Sequence, residues 1–141
     1  HDGDHPRGYF VPAEHVFDGP FDVGDLHITP FDLPHGDMGS TGFLFEQDGQ
    51  KRLAYCSDAK EIPEEVVSAI RGVEVVVLDA LRPESHWTHM SLAEAIEAAE
   101  RIGAAQTLLT HLTHYYDHNV DDAKLPEGVG LAWDGLVVKA Q

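Results

Sequence analysis

The sequence predicts an α/β protein with a mixed β-sheet and flanking helices, on three observations. Strand-length segments come first as neighbours, at residues 26–31, 41–46 and 51–57, and only later alternate with helical segments. Residues 73–78 are almost wholly apolar, the pattern of a strand buried on both faces. Four strand segments run out into an imidazole or a carboxylate, at His35, Asp58, Asp79 and His111. Such ends are where open α/β sheets keep their sites.

The elements follow in order. Residues 1–16 read as loop, and turn residues continue to Gly19 and Pro20. Residues 21–25 give a short strand and a turn, and residues 26–31 alternate as a strand. A loop with Gly36 and Gly39 leads to a strand at 41–46. Asp48-Gly49 should close a hairpin onto a partner strand at 51–57. Residues 63–71 read as a helix, with Pro63 near its start, acids in its first turn and Gly72 after its end. The apolar strand at 73–78 follows, and then a loop over 80–90 rich in His and Pro. Ser91 with Glu94 forms a capping box; Leu92, Ala95, Ile96, Ala99 and Ile102 share one helical face, and Gly103 stops the helix. Residues 106–110 are the next strand, ending at His111. Residues 119–124 suit a helical turn, and residues 129–133 and 136–139 around Asp134-Gly135 read as a closing hairpin.

The 141 residues fit one domain with a real core. A formal net charge of −16 argues against sequence-independent nucleic-acid binding, which relies on Lys and Arg against phosphate. It also repels anionic substrates unless a cation sits in the site. No apolar run approaches the roughly 20 residues that span a bilayer, so no membrane is expected. One cysteine, Cys56, allows no internal disulfide, and a cytoplasmic, reducing setting is expected.

The chemistry rests on histidines and acids. His35, Asp58 and His111 are the candidate metal ligands, because two imidazoles and a carboxylate suit Zn²⁺ or Mn²⁺. A carboxylate can bridge two metals, as a two-metal hydrolase requires. Asp79 either ligates or orients a ligand histidine. Asp58 has a plainer reading, as a cap or a partner for Lys60. His86 and His89, opening a helix N-terminus, form a candidate catalytic, phosphate-facing pair. His114 and His118 read as surface or supporting groups, and Cys56 as packing.

Taken together, Leu33-Pro34-His35-Gly36, Tyr55-Cys56-Ser57-Asp58, Leu78-Asp79-Ala80, Ser85-His86-Trp87-Thr88-His89, Leu109-Thr110-His111 and Trp133-Asp134-Gly135 resemble the metallo-β-lactamase superfamily. Within it they are most similar to the phosphoribosyl cyclic-phosphate phosphodiesterase branch, a relative of tRNase Z and PqqB-type proteins. The resemblance implies an αββα sandwich with a dinuclear Zn²⁺ or Mn²⁺ site. It implies His35 and His111 as ligands, Asp58 as the bridging carboxylate, and His89 as proton donor to the leaving group. The implied activity is hydrolysis of a small cyclic-phosphate or nucleotide-like phosphodiester by hydroxide generated at the metal. The superfamily's His-x-His-x-Asp-His cluster has no counterpart, since no His-x-His pair occurs in this sequence. The chain is therefore expected to be the C-terminal portion of such a domain. The alternative is a non-catalytic fragment or binding module that needs a missing N-terminal half, a partner chain or a second copy.

Overall fold

The computed structural model describes residues 13–140; the part of the 1–16 loop reading that covers residues 1–12 lies outside them. Residues 13–20 carry neither helix nor strand. A seven-stranded sheet then runs in chain order from β1 to β7. Its first part is an antiparallel meander of β1 (Phe21–Val23), β2 (Leu26–Leu33), β3 (Ser40–Gln47) and β4 (Gln50–Cys56). The turn at Asp48-Gly49 has both residues at positive φ, 53° and 72°, as a tight hairpin turn demands.

From β4 onward all pairing is parallel. Helix α1 (Glu64–Ile70) connects β4 to β5 (Val75–Asp79), and α2 (Leu92–Ile102) connects β5 to β6 (Gln106–Thr110). The capping box of α2 forms as expected. Ser91 Oγ accepts from the Glu94 N–H, Glu94 Oε2 accepts from the Ser91 N–H, and Gly103 closes the helix at φ 63°. A short α3 (His118–Asp122) leads to β7 (Val129–Leu131).

The closing hairpin is not formed. β7 pairs parallel with β6, and residues 136–139 are not a strand. Asp134-Gly135 still turns, with the Leu136 N–H donating to Trp133 O at 3.1 Å. Alternation at 136–139 permits a strand but does not by itself supply one, and β7 pairs with β6 alone.

One core holds this together. Ala54, Cys56, Val76, Leu78, Leu109 and Leu131 point from the sheet into Val66, Val67, Ile70, Ala95, Ala99 and Ile102 of the two helices. α1 and α2 also touch each other, which places them on the same face of the sheet. β2 lies antiparallel to β3, and β3 to β4, so β2 runs in the direction of β4, β5 and β6. The carboxyl ends of all four meet at one edge, and this brings His35, Asp58, Asp79 and His111 together.

Candidate metal centre

The centre is built from strand ends and one folded-back loop. Asp58 follows β4, Asp79 closes β5 and His111 follows β6. His89 arrives from the loop after β5. That loop is pinned at its neck, where the Leu81 N–H donates to Met90 O, the Met90 N–H to Ala59 O and the Leu92 N–H to Arg82 O. One ligand-type atom each from Asp58, Asp79, His89 and His111 lies within 4.8 Å of the others. His35 joins them, with Nε2 at 2.8 Å from Asp58 Oδ1 and 3.4 Å from His89 Nε2.

The second hydrogen bond of each ring decides its tautomer. His89 Nδ1 lies 2.6 Å from Asp79 Oδ2, so its N–H donates there and Nε2 faces the cluster. His111 Nδ1 donates to Ser57 O at 3.0 Å, which leaves its Nε2 as the lone-pair nitrogen. A ring nitrogen fixed by a carboxylate or carbonyl, with the other left free, is the arrangement of metal-bound histidines. His111 also holds a positive φ of 61°, a strained backbone for a non-glycine residue.

Asp79 stands behind His89 as a hydrogen-bond acceptor. It is fully buried, and its carboxylate accepts from His89 Nδ1, the Ala59 N–H at 3.0 Å and the Leu81 N–H at 3.1 Å. Burial pushes its carboxyl above the ordinary value, against the pull of His89 and the Ala59 N–H. Asp58 is different. Its Oδ1 is buried and accepts no hydrogen bond of acceptable geometry, although His35 stands close. A buried carboxylate oxygen left this way is costly unless a cation answers it. The facing Nε2 atoms of His35 and His89 make the same demand, since two lone pairs repel unless a proton or cation sits between them. The donor set therefore fits Zn²⁺ or a similar ion.

Lys60 is not the partner of Asp58. Its Nζ bonds Glu94 Oε1 at 2.6 Å and His89 O at 3.5 Å, and its backbone N–H donates to Pro34 O at 2.7 Å. It thus ties the His35 segment to the His89 loop. The N-terminus of α2 is not an anion site, because the Glu94 carboxylate already occupies it. His86 lies beside His89, ring centroids 5.2 Å apart, with its Nδ1 accepting from the Thr88 N–H. Desolvation and then Arg82 hold the His86 imidazole below its ordinary value. His114 stacks on Tyr115, and His118 bonds Leu131 O, so neither is placed in the cluster. The part of Asp79 was open in the sequence because a strand-end acid carries no sign of what will face it.

A family model described as a beta-lactamase superfamily domain matches residues 6–112. A solved diphosphatase described as of the PhnP family superposes with TM-score 0.81 and 30% identity, over 89% of this chain and 48% of that one. Zn²⁺-bound PqqB of Methylobacterium extorquens gives TM-score 0.69 at 16% identity, over 89% of this chain and 54% of that one. The short form of human tRNase Z gives 0.66 at 20%, over 86% and 46%. These last two show the fold alone. An octanoyltransferase of Porphyromonas gingivalis is 26% identical over 121 residues, which cover 84% of this chain and 24% of that protein. The chain thus spans about half of the solved relatives' lengths and about a quarter of the octanoyltransferase.

Proposed function

This chain belongs to the metallo-β-lactamase superfamily, and we propose that it carries part of the active site of a metal-dependent phosphodiesterase. The proposed substrate is a small cyclic-phosphate or nucleotide-like diester. The observation that supports it is the buried Asp58 Oδ1, without a hydrogen bond, among His35, His89 and His111. His35, Asp58 and His111 would hold the ion, Zn²⁺ or Mn²⁺. When bound, the ion supplies acidity to a coordinated water and draws charge from phosphorus.

The remaining work falls to this chain's own groups. His89 presents Nε2–H to the leaving oxygen while Asp79 holds its other nitrogen and fixes the ring. His86, adjacent to it, serves as a hydrogen-bond donor to a phosphate oxygen. The diphosphatase relative supports phosphate chemistry in this fold. The octanoyltransferase match does not point to acyl transfer at this cluster. Cys56, the chain's one cysteine, is buried in the helix-covered core with its thiol pushed up to about 12.

Among the described residues the ligands are too few for two full coordination shells. We propose that a dinuclear centre is completed by a further His/Asp-bearing layer, in the manner of a C-terminal half of a domain, inside the cell's reducing compartment. No described helix is long and apolar enough to cross a membrane.

Substitution separates the roles. Asp58→Ala should lose metal and activity together, whereas His89→Ala should keep metal and lower turnover by roughly 10²–10⁴-fold. That loss should shrink for nitrophenyl esters, whose leaving group needs little protonation. Elemental analysis with kinetics on both variants checks this. Loss of metal from His89→Ala would make His89 a ligand, and an unchanged rate on a poor leaving group would pass the acid role to His86.

A further inference from the structure

Trp87 is 72% exposed, yet it stands in the middle of the loop that delivers His86 and His89. Exposing an indole in water is unfavourable and calls for a reason. Its position is not loose. A Cβ placed on Gly36 would meet Trp87 Cζ3 at 3.0 Å and Cη2 at 3.5 Å, with Thr88 Cγ2 at 2.8 Å. The indole thus rests against the residue that follows His35, and any side chain at position 36 would push it away. Gly36 sits at φ 55°, so backbone and packing both require glycine there. The Trp87 and His86 ring centroids lie 6.5 Å apart with planes 32° apart, and those of His86 and His89 lie 5.2 Å apart. A row of rings therefore leads from the cluster outward to an open indole face. Trp133, 55% exposed, makes no such row; its ring meets the edge of His118 beside α3.

The charge of the chain narrows what this face can receive. At −16 overall, the surface opposes a polyanionic strand, and one phosphate drawn by a cation is the most it favours. An exposed indole on so acidic a chain best receives an uncharged, flat group.

Resting on the phosphodiesterase reading above, we propose that Trp87, held in place by Gly36, is the platform on which the organic part of the substrate stacks, and that this part is a planar heteroaromatic ring such as a nucleobase. Stacking a base on an aromatic side chain commonly strengthens binding by tenfold or more, with little dependence on which base it is.

The test uses the full chain with Trp133→Phe, which leaves Trp87 as its only tryptophan. Adenosine 5′-monophosphate and ribose 5-phosphate are titrated in the presence of Zn²⁺ and followed by Trp87 fluorescence, with calorimetry on the parent chain. The nucleotide should quench the emission and bind at least about tenfold tighter than the sugar phosphate. Trp87→Ala should reduce nucleotide affinity to the sugar-phosphate level and leave the sugar phosphate unchanged, and Trp87→Phe should keep part of the preference. Equal affinities in the parent chain, no nucleotide binding, or an equal loss for both ligands in Trp87→Ala would overturn the platform. Zn²⁺ content and hydrolysis of bis(p-nitrophenyl) phosphate are measured in parallel. Their failure sinks the hydrolase reading, whereas their survival without a nucleotide preference sinks only the role of Trp87.

Discussion

The two faces of the sheet are made of similar residues and are covered to different extents. On the helix-covered face Ala54, Cys56, Val76, Leu78 and Leu109 are all sealed from water. The ladder puts Phe43 opposite Tyr55, Phe45 opposite Leu53, and Tyr55 opposite Val77 on the other face. That face has no helix of its own among the described elements. Ile28, Val75 and Leu108 on that face are buried, but Tyr55 is 42% exposed and Val23 57%, and Phe17 stacks on Phe21 at 5.1 Å. A sheet apolar on both sides is built to be covered on both sides. The helix-covered face makes the chain fold; the other is what a second layer would use.

The largest test of this contrast is Leu78→Ala. It empties a fully enclosed site under both helices and should cost about 3 kcal/mol in denaturant unfolding. A cost below about 1 kcal/mol would mean the core can collapse around the gap. Next comes Ser91→Ala, which removes the cap of the helix covering this face and should cost about 1 kcal/mol.

The pH dependence of the same cover follows from Glu94. Burial raises its pKa, but hydrogen bonds from Lys60 and Ser91 outweigh this and hold it below its ordinary 4.5. A depressed carboxylate adds stability above the unfolded-state value and loses it as pH falls through the folded one. Glu94→Gln should therefore be less stable than the parent at pH 7, with the gap closing in strongly acid solution. A constant gap across a pH series of melts would remove Glu94 ionisation from the account. The smallest effect is expected on the open face. Tyr55→Ser should change stability by no more than about 0.5 kcal/mol, while sedimentation shows less self-association than the parent. A cost as large as that of Leu78→Ala would mean the open face is covered in solution.

The sequence by itself determined the elements that local chemistry dictates. Asp48-Gly49 needs two positive φ values, Ser91 with Glu94 caps a helix, and Gly103 ends it, whatever surrounds them. The apolar run through Val75–Asp79 could only be a buried strand. The sequence also marked His35, Asp58 and His111, because polar groups at strand ends stand out by pattern, and His89 by the His-rich loop before the capped helix. What needed the tertiary structure were the relations between segments distant in the chain. The partner of Lys60 is Glu94 and not nearby Asp58, since the loop neck at Met90 brings α2 over it. Asp79 meets His89 because the loop folds His89 back onto it across ten positions. The expected hairpin at 136–139 failed for the same reason. Alternation says that a segment can be a strand, but pairing depends on which segments meet in space, and residues 136–139 join no ladder.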